Sequence, residues 1–257
     1  MAVTVATWNV NSLRIRLQQV TEWLASTRVD VLALQETKIT DADFPRAVLE
    51  GLGYHVLFSG QKTYNGVALL SRWPCDSLIC DLPDFDDPPR RVLAATTNGW
   101  RIVNLYVPNG QSVGSEKYQY KLRWLEALRK WLEAEARAHQ RLVVLGDFNI
   151  APEDRDVHDP AAWAGSVHVS EPEREALRSL LGVGLVDVFR RFEQPPKSFS
   201  WWDFRTRGFS RNDGLRIDLI LANQALAARA TGSRIDVEPR RGERPSDHTP
   251  VLASFDP

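Results

Sequence analysis

Sulfur is scarce in this chain of 257 residues, which has two Cys and one Met. Cys75 and Cys80 are too few for a disulfide scaffold. No histidine cluster accompanies them at zinc-ligand spacing, so two reduced cytosolic thiols are expected. Long apolar runs are missing as well. None approaches the ~18 residues a membrane helix needs, and Met1-Ala2-Val3-Thr4 is not a basic stretch followed by a hydrophobic one; a soluble, unexported, cytoplasmic protein is the expectation. Charge of one sign is not in excess either, since 32 Lys+Arg meet 33 Asp+Glu for a net charge of −1. Any basic footprint for nucleic acid must therefore be local.

What is present suits a folded core. A hydrophobic content of 43% with nearly cancelling charge excludes disorder, and 257 residues lie at the upper end of what one core supports. One domain spanning 1–257 is expected, acting as a monomer, without room for a long regulatory extension. Short β-branched runs predict strands at Val3 to Val10, Val29 to Leu34, His55 to Phe58, Val67 to Ser71, Arg91 to Thr97, Arg101 to Val107, Leu142 to Leu145, Arg216 to Leu221 and Val251 to Phe255. Helices are predicted at Leu13 to Ser26, Asp41 to Leu49, Glu171 to Leu181 and Ser115 to about His139. In the last, Tyr118, Leu122, Leu125, Leu128 and Leu132 form an apolar stripe that leaves Lys121 to water, and Ser115 is placed to cap it. Asn98-Gly99 between two strand runs is hairpin chemistry, while other strands are separated by helices. Mixed sheets packed face to face with helices outside satisfy both patterns.

The strands end in polar clusters that core packing does not need. Trp8-Asn9-Val10-Asn11, Gln35-Glu36-Thr37-Lys38, Tyr106-Val107-Pro108-Asn109-Gly110, Gly146-Asp147-Phe148-Asn149, Gly214-Leu215-Arg216-Ile217-Asp218 and Ser246-Asp247-His248 all fall at or near strand ends. Each alone is explained by turns whose side chains bond their own backbone. Together they put several carboxylates where burial is costly unless a cation is bound. With no cysteine and no histidine pair at helical spacing among them, the ligands on offer are oxygens, which favours Mg2+ or Mn2+ over zinc.

This set, with Phe199-Ser200-Trp201-Trp202-Asp203, resembles the exonuclease III and abasic-endonuclease branch of the endonuclease/exonuclease/phosphatase superfamily, in the family's order from residue 8 to 250. The resemblance implies an α/β, four-layered sandwich of two mostly antiparallel mixed sheets flanked by helices. It implies a magnesium-dependent DNA repair nuclease that cleaves 5′ to abasic sites in duplex DNA and also acts as 3′-5′ exonuclease and 3′-phosphatase or 3′-phosphodiesterase. By the same resemblance Glu36 is the principal metal ligand, with Asn9 beside it and Asp247 near the ion directly or through water. Asp147 positions or deprotonates the attacking water, Asn149 orients it, Asp218 fixes the His248 tautomer, His248 bonds a phosphate oxygen, and Tyr106 donates to the phosphate with Asn109 alongside. Whether Asp147 or His248 takes the proton stays open.

Trp201 corresponds to the aromatic wall of the pocket for a flipped-out, base-less sugar, Trp202 to core or pocket support, and Asn212 to an amide that touches substrate phosphate. Arg14, Arg16, Arg90, Arg91, Lys117, Lys121, Arg205, Arg207 and Arg211 could line a DNA groove, with Arg90 and Arg91 beside a Pro88-Pro89 turn. Two positions depart from the family pattern. Asn11 stands where some relatives carry aspartate, removing one negative charge near the metal. His168 stands where abasic endonucleases carry a small residue, and its ring would narrow the sugar pocket and shift activity toward blocked 3′ ends. The rivals are thus an enzyme restricted to 3′ ends and, in a different class, a non-catalytic nucleic-acid-binding regulator. Retention of Glu36, Asp147, Asn149, Asp218, Asp247 and His248 argues against the latter.

Overall fold

Period-two alternation gives each strand two faces, and in this chain both faces are apolar, so each sheet must be covered on both sides. The computed structural model describes residues 2–86 and 90–257, and the Pro88-Pro89 turn lies outside them. β1 (Val3–Asn9), α1 (Leu13–Thr27) and β2 (Val31–Gln35) open the chain. A 3-10 turn at Asp41–Asp43 and α2 (Arg46–Glu50) then lead to β3 (His55–Ser59), β4 (Val67–Ser71), β5 (Cys75–Cys80), β6 (Val92–Thr97) and β7 (Trp100–Tyr106). Next come α3 (Glu116–Ala138), β8 (Leu142–Asp147), α4 (Pro160–Trp163), α5 (Glu171–Leu181), β9 (Leu185–Asp187), β10 (Trp201–Trp202) and α6 (Gly208–Arg211). The chain finishes with β11 (Gly214–Leu215), β12 (Asp218–Asn223), α7 (Gln224–Ala227), β13 (Ala230–Ile235) and β14 (Val251–Phe255).

One sheet has the order β13-β14-β1-β2-β4-β3 and the other β5-β6-β7-β8-β12-β9, with a small β10-β11 pair beside them. Only β1 with β2 and β7 with β8 pair parallel among the described strands. Val5, Val31, Leu69, Leu93, Ile102, Val143, Leu145 and Ile220 fill the space between the sheets. Trp8, Leu32, Leu34 and Leu70 point the other way, onto Val20, Trp23 and Leu24 of α1. Val103, Val144 and Leu219 pack on Trp124, Leu125, Leu128 and Leu132 of α3 and on Leu177 and Leu180 of α5. The result is the expected four-layered α/β sandwich, helix on sheet on sheet on helix.

The differences from the sequence reading have local causes. The strands β5 and β13 lie at sheet edges, partly exposed and with no clean alternation, so nothing in their pattern announces them. Pro45 divides the helix expected over Asp41 to Leu49 into a 3-10 turn and the short α2. The Asn98-Gly99 hairpin forms as expected, with φ of 49° and 74° joining the paired Thr97 and Trp100. On α3 the buried face is Tyr118, Lys121, Trp124, Leu125, Leu128 and Leu132, so Lys121 occupies a place in the stripe assigned to Leu122, which is only partly buried. Leu128 is fully buried between α3 and the sheet, and Leu128→Ala should cost about 2–5 kcal/mol. Urea unfolding at unchanged m-value checks this; a loss below about 1 kcal/mol would mean that α3 is not anchored there.

Candidate active site

The two parallel strand pairs run side by side at the centres of the sheets and deliver their polar ends to one place. Parallel register sets Asn9 beside Gln35, with Glu36 one residue on, and Tyr106 beside Asp147; antiparallel register sets Asp218 opposite Asp147. Gly146 lets this happen. A Cβ there would stand 1.9 Å from the Leu105 carbonyl oxygen, so only glycine allows β8 to approach β7 at the residue before Asp147.

Asn9 donates from Nδ2 to Glu36 Oε1 at 2.8 Å and to Asp147 Oδ2 at 2.9 Å. Its Oδ1 accepts from the Asn11 amide at 3.0 Å, so in this orientation Asn9 bridges two carboxylates as a donor. His248 Nδ1 lies 2.9 Å from Asp218 Oδ2, and its Nε2 lies 3.7 Å from Asp147 Oδ2. Ser200 Oγ donates to Asp218 at 2.7 Å. Burial by itself would discharge His248, but Asp218 and Asp147 outweigh it and raise it to about 10. Burial, opposed by His248 and reinforced by Asp218 and Glu36, pushes Asp147 up to about 7. The Tyr106 phenol is held well above its ordinary value by burial and by Glu36 and Asp147, and stays a donor.

Glu36, Asp147 and His248 offer ligand atoms that all lie within 4.8 Å of one another. The Asp218 Oδ1 atom is buried with no protein partner, and Glu36, Asp147 and Asp218 outnumber Lys38 and His248, a charge balance that fits a divalent cation. Asp247 belongs to the rim. Its Oδ1 accepts from Asn11 Nδ2 at 2.9 Å and its Oδ2 from Trp201 Nε1 at 3.1 Å. Burial alone would raise Asp247, but His248, Asn11 and Trp201 hold it below its ordinary value. Asn11 also accepts from Lys38 Nζ at 2.6 Å. An aspartate there could not donate to Asp247, so the departure at this position serves a local network.

Trp201, Trp163 and His168 form an aromatic group beside these residues, with ring centroids 6.3 to 6.5 Å apart. Trp163 was missed by the sequence reading, because the four-residue α4 that carries it has no periodicity to report. His168 is buried, not a surface-loop residue, and adopts φ of 76°, a left-handed conformation unfavourable to a side chain with a Cβ. Its Nδ1 lies 2.6 Å from the Asn149 carbonyl oxygen and its Nε2 3.4 Å from Asn109 Nδ2. Burial, with help from Lys121, lowers His168 to about 4, so the neutral ring donates from Nδ1. Asn149 in turn donates its backbone amide to Asp147 Oδ1 at 2.9 Å.

Other expected contacts fall elsewhere. Lys121 is fully buried and cannot contact DNA. Arg16 is also buried, with its guanidinium on the carbonyls of Asn11, Arg244 and Pro245. Trp202 is core, as anticipated, and its Nε1 donates to Asn212 Oδ1 at 3.0 Å. Asn212 is exposed, donates to the Lys197 carbonyl and stands outside the carboxylate group. Arg205 forks onto Asp203, Arg211 pairs through Nε with Asp213, and Arg90 pairs with Asp81. Arg91 lies over the Tyr106 ring, 4.7 Å from its centroid.

The chain and its fold are similar to known proteins. A model of the endonuclease/exonuclease/phosphatase family matches residues 6–248. Exodeoxyribonuclease III of Haemophilus influenzae is 36% identical over 261 aligned residues, covering 96% of this chain and 98% of that protein. The structure of a Neisseria 3′ phosphatase, NExo, bound to a product DNA hairpin matches with a TM-score of 0.97 at 46% identity, covering 99% of this chain and 100% of that one. An abasic endonuclease from Archaeoglobus fulgidus matches with a TM-score of 0.95 at 39% identity, again over 99% and 100% of the two chains. The chain therefore belongs to the endonuclease/exonuclease/phosphatase family and is a nuclease-type hydrolase of its exonuclease III and abasic-endonuclease branch.

Proposed function

We propose that this chain, acting as one monomeric domain, is a magnesium- or manganese-dependent DNA repair nuclease. Its substrate is duplex DNA carrying abasic sites or blocked 3′ ends, and it hydrolyses one phosphodiester or phosphomonoester at a time. The observation that carries this reading is the convergence of Glu36, Asp147 and His248 within 4.8 Å at the strand ends, beside the Trp201 wall. Glu36 would hold the ion together with Asn9, after rotation of the Asn9 amide, while Asp247 acts from the rim and Asp147 is left for the water. A bound ion supplies neutralisation of the charge that grows on the phosphate and leaving oxygens. Asp147, oriented by the Asn149 amide, holds the attacking water and takes its proton. His248, kept charged between Asp218 and Asp147, donates to a non-bridging oxygen and is not the base. Tyr106 and Asn109 donate to the same phosphate.

His168 favours the narrower reading within this class. Its buried ring lies 6.3 Å from Trp201 and occupies space that a small residue would leave to an extrahelical sugar. Activity is then directed to 3′ phosphate and other 3′ termini, with weaker incision at internal abasic sites.

Two duplexes, one with an internal abasic analogue and one with a 3′ phosphate, test the class. Chelation of divalent cations should abolish turnover on both, and Glu36→Gln should lower kcat by roughly 10²-fold or more on both. Undiminished cleavage in chelator would sink the metal-dependent reading. His168→Gly should raise abasic incision by about tenfold relative to 3′-phosphate removal, one pocket contact's worth; an unchanged ratio means the ring does not set the preference.

The same substitution carries a pH signature. Burial, helped by Lys121 and His248 and opposed by the Asn149 carbonyl and Glu173, lowers the ring from 6.5 to about 4 on folding. Below pH 6.5 the unfolded chain binds a proton that the folded chain refuses, so this stability is fully present above 6.5 and lost as pH falls toward 4. The loss is up to about 3 kcal/mol. The urea midpoint of the native protein should fall relative to that of His168→Gly as pH is lowered from 6.5 toward 4; parallel curves across that window would show the ring titrates normally.

A further inference from the structure

Behind the phosphate end of the site lies a buried ion pair that the mechanism does not use. Lys121 of α3 has an exposure of 0%, as does its partner Glu173 of α5. The ammonium has three protons and three acceptors: Glu173 Oε1 at 2.5 Å, the Asn149 carbonyl at 2.7 Å and the Asn109 carbonyl at 3.2 Å. Glu173 Oε2 accepts from the Ser170 amide, its half of the capping box at the start of α5, and from the Ser170 hydroxyl. Capping accounts for Oε2 but not for Oε1, which accepts Lys121 Nζ and the His168 amide.

An ion pair this deep is a poor way to join two helices, because each charge carries a desolvation penalty that an apolar pair of equal volume avoids. What an apolar pair lacks is direction. Lys121 aims two bonds at the main chain of the two residues whose side chains face each other at the phosphate end, Asn109 Nδ2 and Asn149 Oδ1 being 3.4 Å apart. The Asn149 carbonyl is shared with His168 Nδ1, so the same ammonium also bears on the ring beside Trp201. The fit is close. At Gly110, whose φ is 91°, a Cβ would stand 3.1 Å from Lys121 Cδ. Asn149 itself is held in a left-handed conformation at φ of 50°, which a tether on its carbonyl helps to maintain.

We propose that Lys121, neutralised by Glu173, is a positioning residue for phosphate hydrolysis: without touching DNA it fixes where Asn149 stands relative to Asn109 and His168. This rests on the reading that Asn109 and Asn149 meet the scissile phosphate. Lys121→Met paired with Glu173→Gln removes the ammonium without stranding a buried carboxylate. On a 3′-phosphate duplex with magnesium, the pair should lower kcat by roughly 10- to 100-fold per folded enzyme with KM within about threefold, as expected of a misplaced but present group. In an Asn149→Ala background the same pair should cost less than about twofold more, because the residue it acts through is gone. A purely structural role predicts a lower Tm with kcat per folded enzyme unchanged, or the same factor in both backgrounds, and either result overturns the proposal. If the pair does not fold, Glu173→Gln alone should lower kcat by at least about threefold in the native background and not in Asn149→Ala; equal effects overturn it as well. Failure of the underlying reading looks different: the native enzyme leaves the 3′ phosphate in place, or Asn149→Ala keeps the native kcat.

Discussion

Two carboxylates stand directly opposite one another across the central strands of one sheet, and the site is built on making that tolerable. Asp147 and Asp218 are cross-strand partners, both buried, and like charges so placed oppose sheet pairing. His248 enters between them from a loop of the other sheet's final strand, and its charge is the local compensation. Asn9, Ser200 and the Asn149 amide satisfy other lone pairs. With Glu36 added, negative charge exceeds what the protein's cations offset. The packing of this end of the fold and the capacity of its carboxylates to hold a cation are therefore one electrostatic arrangement.

Holding that arrangement strains the backbone. Asn11, Glu36, Lys38, Asn149 and His168 all adopt positive φ, a conformation that residues with a Cβ avoid at a cost of order 1–3 kcal/mol each. The surrounding bonds over-determine them. Asn11 is tied through its amide, both ends of its side chain and its carbonyl. Asn149 is tied through its amide, its side chain to Val107, and its carbonyl to Lys121 and His168. Buried cations that look like DNA contacts in a linear reading, Arg16 and Lys121, are spent on main-chain carbonyls of these loops.

The aromatic group adds shape to the charge. Trp201 is fixed by its indole bond to Asp247, which ties the aromatic group to the rim of the acidic group. Trp163 and His168 complete it from a separate segment, and the Asn149 carbonyl links the ring of His168 to the residue that orients Asp147. The aromatic group and the carboxylate group thus share a few bonds, through Asp247 on one side and the Asn149 carbonyl on the other.

Local signals were sufficient where the chemistry is local. The Asn98-Gly99 turn, the Ser115 cap, the apolar alternation of the central strands and the residue types at their ends were legible, because turn geometry, capping and strand period act over a few residues. Lys121 was misread although its spacing from Tyr118, Leu125 and Leu128 placed it on the buried face of α3. A lysine is buried only if a partner waits for it, and Glu173 is 52 positions away. Trp163, the edge strands and the pairing of Asn212 with Trp202 were likewise decided by neighbours distant in the chain. The sequence by itself determined which chemical groups were available and which strand ends carried them. Only the tertiary structure decided which of those groups meet, since desolvation and charge compensation depend on what surrounds an atom in space and not on what precedes it along the backbone.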